Sequence, residues 1–344
     1  MAKEIKASPE IIKKTEWPVA IFYPSHCASP IILANIRNWY KEAGLNVKLV
    51  NFPSMPKLVQ TVQKEPFLAA QIPTPMLLML SIKKILSNEE PFLLLSILGV
   101  HGSALLVTAK SGIQHPKDLK NKRIATPSPG VIHYLLIRLF LEKYKIDLKR
   151  DTVLVELPLN EVLNKVTKNE VDAVIFPEPF PSLVEDNVKT QNLISTQFIW
   201  KNHPCCALAT KKSLYERERE AIKILTLFTI KAAYYMDQPS HRAEIIQELK
   251  KSRFHNPQLS DTILLNAFKP GRSDFNPYPY LSTGYVLVDL LQKYNLIPKV
   301  ASEEMVKKIF QLELVKNIYK ELKIPLPNTD SRPEVILGEV FHKV

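Results

Sequence analysis

Glycine is scarce in this chain: 8 residues of 344, against 27 prolines. Neither G-x-G-x-x-G nor G-x-x-x-x-G-K-[ST] occurs. The glycine cradles that wrap phosphates are therefore missing, which excludes Rossmann-type dinucleotide binding and P-loop NTPase chemistry. Cysteine is almost as rare. Cys27, Cys205 and Cys206 are an odd set with two adjacent members, so they give no disulfide framework and no C-x-x-C knuckle. Cys205 and Cys206 read as two small buried side chains. Uncharged runs are short as well. Residues 92–109 just reach the length of a membrane span, but Ser96, Gly99, His101, Gly102 and Ser103 interrupt them. They read better as two buried strands, 92–100 and 104–109.

Single-sign charge blocks are also absent. Lys and Arg outnumber Asp and Glu, 46 to 34, but the basic runs are only pairs: Lys13-Lys14, Lys83-Lys84, Lys211-Lys212 and Lys250-Lys251. With no aromatic RNA-binding signature and no zinc finger beside them, they predict a solvated basic surface and no nucleic-acid partner. Residues 1–16 alternate charges without the apolar core of a leader. That leaves a cytoplasmic protein or the mature form of an exported one.

The length favours two lobes over one. From Trp17 the pattern runs strand, helix, strand, helix, strand, helix, the signature of a mainly parallel sheet covered by helices. Ser29-Pro30 predicts an N-cap with proline at the first helical position, and Gly44 predicts the end of that helix. A polar, turn-rich stretch follows Ala109, and the alternation then restarts: strand 123–125, helix 131–145, strand 152–157, helix 160–168, strand 171–176. From Ser213 onward the pattern is almost wholly helical. The expected architecture is α/β, with a first lobe of residues 15–107 and 206–344 that carries the helical C-terminus, and a second lobe of 108–205. The expected crossings lie near 107–110 and 206–210.

In open α/β sheets, ligands sit beyond the carboxyl ends of the strands. The loops there hold Ser25, His26 and Cys27; Gln71, Thr74 and Met76; His101, Gly102 and Ser103; Ser128 and Gly130; and Glu178 and Phe180. Hydroxyls, imidazoles and prolines dominate, which suits a small polar or anionic molecule. Ser128 either caps the helix carrying His133 or offers that helix start to an anion. His101 is either a ligand contact or a structural histidine. Glu178, between two prolines, is a ligand clamp, a lobe-closing acceptor or a solvated loop residue. Cys27 beside His26 could form a nucleophilic pair, but no orienting third group is visible. His26, His101, His133 and Glu178 could converge, yet no short ligand spacing such as H-x-x-x-H assigns a metal. No catalytic residue, metal or cofactor is expected.

Three spans carry a resemblance. Thr126-Pro-Ser-Pro-Gly-Val-Ile-His133, Val171-Asp-Ala-Val-Ile-Phe-Pro-Glu-Pro-Phe180 and Phe198-Ile-Trp-Lys-Asn-His-Pro204 resemble the type II substrate-binding proteins of ABC importers, most of all the branch of nitrate and bicarbonate receptors. Gln71 with Pro75-Met76, and His101-Gly102, match too. Phe180 stands where that branch usually has tryptophan, and only Phe52 offers its aromatic after the second strand. Alkanesulfonates and thiamine-related pyrimidines are bound by neighbouring branches.

The resemblance implies a two-lobed receptor, not an enzyme. It would capture a small, anionic ligand such as nitrate, bicarbonate or a sulfonate, hand it to an inner-membrane ABC permease, and work in the periplasm or cell envelope. The ligand-binding set expected from the strand-end loops and the resemblance together is Ser25, His26, Gln71, Thr74, His101, Gly102, Ser128, Gly130, His133, Glu178 and Phe180. His101 and His133 would then favour an anion below about pH 6.5, the range of an ordinary imidazole. Two alternatives share the fold. One is an enzyme resembling the thiamine-pyrimidine synthases, which consume pyridoxal phosphate and use a cysteine-rich iron-binding run. Only Cys205-Cys206 answers to that run here. The other is a cytoplasmic small-molecule sensor.

Overall fold

Residues 16–342 are described by the computed structural model. The leader reading of residues 1–15, the Lys13-Lys14 pair and the start of the expected first lobe lie outside them. The strands, in chain order, are β1 (Trp17–Ile21), β2 (Val47–Asn51), β3 (Ala69–Pro73), β4 (Phe92–Ile97), β5 (Val100–His101), β6 (Ser103–Thr108) and β7 (Arg123–Thr126). They continue as β8 (Val153–Glu156), β9 (Ala173–Pro177), β10 (Thr190–Ser195), β11 (Cys206–Lys211), β12 (Ser273–Asp274), β13 (Glu334–Ile336) and β14 (Glu339–His342).

Two mixed five-stranded sheets repeat one plan. The first has the order β2-β1-β3-β11-β4, with β1 parallel to β2 and β3, and β11 antiparallel to β3 and β4. The second has the order β10-β6-β9-β7-β8, with β7 parallel to β8 and β9, and β6 antiparallel to β9 and β10. Each parallel trio is the product of strand–helix alternation, whose crossovers put helices on both faces. The inner strands are accordingly apolar without alternation: β3, β4, β6 and β9 are buried along their whole length. The protein thus has the two-lobed α/β fold expected from its sequence.

Two expectations about the chain path are corrected. Residues 103–108 pair within the second sheet, so the first crossing lies at 98–102 rather than 107–110. The return lies at 196–205, before β11 rather than inside it. The short β5–β12 pair sits at the first crossing and ties it to the C-terminal segment.

Local readings shift as well. Ser29 lies inside the helix Ser29–Ile36 instead of capping it, because a tight turn at His26–Ala28 already starts the coil. The expected single helix to Gly44 breaks at Asn38, whose φ of 56° is left-handed, and resumes as Trp39–Glu42.

The C-terminal helices pack on the first sheet. The long helix Arg219–Asp237 lies along Ser29–Ile36, and Tyr40 Oη lies 2.8 Å from Thr229 Oγ1 in the buried seam. Gly284, in the helix Leu281–Lys293, allows a close approach. A Cβ there would lie 2.4 Å from Val306 Cγ1. This segment also reaches the second lobe. Arg272 pairs with Glu178 and with Glu185, the latter at 2.7 Å. Trp200 Nε1 donates to Glu334 Oε2 at 2.8 Å, anchoring the β13–β14 hairpin that a wholly helical reading of the C-terminus omits.

Candidate functional site

A cleft of about 1050 Å³ opens between the carboxyl ends of the parallel strands of the two sheets. From the first sheet come Phe22, Tyr23 and Ser25 after β1, Asn51, Phe52 and Met55 at and after β2, and Pro73 at the end of β3. Cys205 and Cys206 join them at the start of β11, which runs antiparallel and so begins where β3 ends. The second sheet supplies Pro127 and Ser128 after β7, Glu156, Leu157 and Leu159 at and after β8, and Pro177 at the end of β9. His133 and Phe180 enter from the helices Ile132–Lys143 and Phe180–Asn187. Among the described residues no Lys or Arg lines the cleft, and Glu156 is the one residue of the lining with a carboxylate. The wall is largely aromatic, aliphatic and proline, with a few amides and hydroxyls.

Of the eleven expected contacts, Ser25, Ser128, His133 and Phe180 line this cleft. The other seven stand behind it. Gln71 is fully buried; its Oε1 accepts from Phe22 N–H at 3.0 Å and its Nε2 donates to Ser25 Oγ at 3.3 Å. It holds the β1 loop in place. Thr74 opens the helix Thr74–Leu86 and donates its N–H to Cys205 O at 3.0 Å. Gly130 faces the first lobe, where a Cβ would meet Met76 Cε at 2.7 Å.

His101 is occupied on both sides. Asn202 N–H donates to its Nε2 at 2.7 Å, so Nδ1 carries the proton and donates to Asp274 Oδ2 at 2.9 Å. That imidazole is a strut between the crossing and β12. Glu178 has no exposure and pairs with Arg272, and its Oε2 accepts from Ser182 N–H at 3.2 Å. It ties the helix Phe180–Asn187 to the C-terminal segment. His26, His101, His133 and Glu178, which the sequence left free to converge, take separate roles.

His133 is the polar group that points to a ligand. It is fully buried and lines the cleft, and neither ring nitrogen makes a well-formed hydrogen bond among the described residues, the Gly102 carbonyl lying near but out of good geometry. Burial brings its pKa down to about 3, with nearby His26 adding to the effect and the Gly102 carbonyl opposing it. The ring is neutral at neutral pH and offers one donor and one acceptor. It supplies no charge to an anion near pH 6.5, which corrects that expectation.

One cluster was not assembled from the sequence. His26 Nε2, Cys27 Sγ and Cys205 Sγ lie within 4.8 Å of one another, all buried. Cys27 Sγ is 3.2 Å from His26 Nε2. As a nucleophilic pair this is disabled, since Cys27 has no exposure and burial pushes its thiol up. The only sequence signal was the adjacency of His26 and Cys27. Cys205 is brought to them by the pairing of β11 with β3.

The model of the NMT1-like family matches residues 14–250. Among curated proteins, the nitrate import ATP-binding protein NrtC of Synechocystis is 26% identical over 66% of this chain, but the match covers only 36% of NrtC. The chain thus spans about a third of that relative. The nitrate/nitrite binding protein NrtA of Synechocystis is 22% identical over 89% of this chain and 76% of its own length.

Among solved structures, the periplasmic nitrate-binding protein NrtA from Synechocystis superposes with a TM-score of 0.82 at 19% identity, covering 95% of this chain and 94% of that one. The alkanesulfonate-binding protein SsuA from Xanthomonas axonopodis pv. citri, bound to MOPS, gives 0.71 at 15% identity over 86% and 98%. The desulfurization enzyme DSZB gives 0.63 at 15% over 90% and 100%. Binding proteins and one enzyme therefore share the fold. No helix among the described residues is long and apolar enough to cross a membrane.

Proposed function

The chain belongs to the NMT1-like family, and from that premise we propose that it is a solute receptor that captures an organic molecule between its lobes and does not transform it. Its partner is an ABC permease of the inner membrane and its place of work the periplasm. The lobes are bounded by the sheets, with the second lobe running from about β6 to β10, and they close on the ligand as a hinge.

One observation carries the ligand class: no Lys or Arg among the described residues lines the cleft, in a protein with a formal charge of +12. Small oxyanions are held by charge-assisted bonds, and here the nearest imidazole is neutral. A four-atom ion would also fill only a small part of about 1050 Å³, a size that suits molecules buried against apolar and aromatic walls. Phe22, Phe52 and Phe180 supply flat faces, while His133, Ser25, Ser128 and Asn51 supply hydrogen bonds. Capture without turnover fits the sealing of Cys27, the one nucleophile beside an imidazole that the sequence offered.

A thermal-shift and native mass spectrometry screen tests this. The panel is nitrate, bicarbonate, alkanesulfonates, pyrimidines and pyridoxal phosphate. An organic ligand at 100 times its dissociation constant should stabilise the fold by about 2.7 kcal/mol. A shift with nitrate or bicarbonate alone, or turnover of any bound compound, would refute the proposal.

A further inference from the structure

We infer that the buried set His26, Cys27 and Cys205 is a site for a soft monovalent metal ion, Cu(I), at the floor of the cleft. Metal–sulfur and metal–nitrogen bonds of about 2.3 and 2.0 Å, spread over three ligands at about 120°, put neighbouring donor atoms about 3.7–4.0 Å apart. The observed 3.2 Å between Cys27 Sγ and His26 Nε2, and the 4.8 Å limit on the set, bracket that spacing.

Three further observations turn convergence into a built site. First, His26 is oriented from behind. Its Nδ1 lies 3.3 Å from the carbonyl oxygen of Glu178, an acceptor only, so Nδ1 holds the proton and Nε2 presents its lone pair toward the sulfurs. Metal-bound histidines are held in this way by an outer carbonyl or carboxylate.

Second, two of the eight glycines make room at the donor atoms. A Cβ at Gly102, whose φ is +84°, would lie 2.3 Å from His26 Nε2. At Gly99 it would lie 3.1 Å from Cys27 Sγ. Third, Cys205 lines the cleft while His26 and Cys27 do not, so an ion has an entry path on one side and protein on the others.

The donor chemistry selects the ion. Two sulfurs and one imidazole, without a carboxylate, fit a soft ion and reject Mg²⁺ and Ca²⁺. Zn²⁺ asks for four ligands in a closed tetrahedron, whereas Cu(I) is satisfied by three. Sulfur of Cys206, also in the cleft wall, interacts with Cys205 and Cys27 but lies outside the set held within 4.8 Å, and it accepts from Gln71 Nε2 at 3.7 Å.

The test uses the full chain, reduced and anaerobic, titrated against the Cu(I)–bicinchoninate complex, followed by X-ray absorption on the loaded protein. One equivalent should be withdrawn, with a first shell of two sulfurs and one imidazole nitrogen. Cys27→Ser and Cys205→Ser should each weaken uptake at least about tenfold, and Gly102→Ala should weaken it by crowding Nε2. Failure to withdraw Cu(I), a shell without nitrogen, variants that bind like the parent, or displacement by equimolar Zn²⁺ would each overturn the inference. Should a cysteine variant fail to fold, the shell of the parent protein decides. Cu(I) uptake is read without the organic ligand, so its failure leaves the receptor reading untouched.

Discussion

His133 links acid to stability in a way that can be worked through. In the unfolded chain its imidazole titrates near pH 6.5, and in the folded protein burial holds it down to about 3. Between those values the unfolded state binds the extra proton, so stability rises with pH across the window and is lost as the pH falls below about 6.5. At pH 5.5 the unfolded imidazole is about nine-tenths protonated and the folded one neutral. That difference costs about 1.4 kcal/mol relative to pH 7.5, and about 1.4 kcal/mol more for each further unit down to the folded value.

The groups facing this ring are His26, His203 and the Gly102 carbonyl. His203 is itself buried, unpartnered and held well below its ordinary range by burial, so it adds a parallel loss. Urea unfolding followed by circular dichroism at pH 7.5 and 5.5 measures the sum. His133→Asn should shrink the difference between the two pH values by about 1.4 kcal/mol, and His203→Asn should shrink it as well. If His133→Asn loses as much stability as the parent between those pH values, within about 0.3 kcal/mol, the burial argument fails.

Arg272→Met leaves Glu178 buried and unpaired, and should cost about 3–5 kcal/mol of unfolding free energy. Adding Glu178→Gln should recover part of that loss, and a single-variant loss under about 1 kcal/mol would contradict it. Gly284→Ala sets about 1 kcal/mol of improved helix propensity against a Cβ placed 2.4 Å from Val306 Cγ1. Overpacking of about 1–3 kcal/mol should win, so a variant melting above the parent refutes the packing. Affinity for the organic ligand should change less than about twofold between about 0.05 and 0.5 M salt, because no lining cation is there to be screened. A steep fall would mean that the ligand is held as an anion.

The cleft's surroundings explain how a basic protein has a cleft without basic residues among its described lining. The Lys and Arg residues are spent on surface pairs such as Lys48–Glu16 and Lys293–Glu142, or on struts such as Arg242, whose guanidinium donates to Phe268 O and Ser273 O at 2.6 Å. Net charge is a property of the outer surface here. It does not describe the lining of the cleft.

By itself the sequence determined the alternation of apolar strands and amphipathic helices. With it came two lobes, two parallel trios and the loops that rim a cleft. Those are local properties: apolar period, proline and glycine stops, and the rule that parallel strands point their carboxyl ends one way. Ser25, Ser128, His133 and Phe180 were legible because each follows a strand directly or opens the next helix. β10 and the β13–β14 hairpin were not, because sequences such as Thr-Gln-Asn-Leu-Ile-Ser become strands only by pairing with β6 or with each other.

Tertiary structure alone decided which polar groups face the cleft and which are struts. His101 meets Asp274 across 173 residues, Glu178 meets Arg272 across 94, and Gln71 reaches Cys206 across 135. Those partners are chosen by where β11 and the C-terminal segment dock. The same docking brings Cys205 to Cys27. Such contacts depend on long-range register, which no local pattern encodes, and a buried imidazole carries the same letter whether its nitrogens are filled by the protein or left for something else.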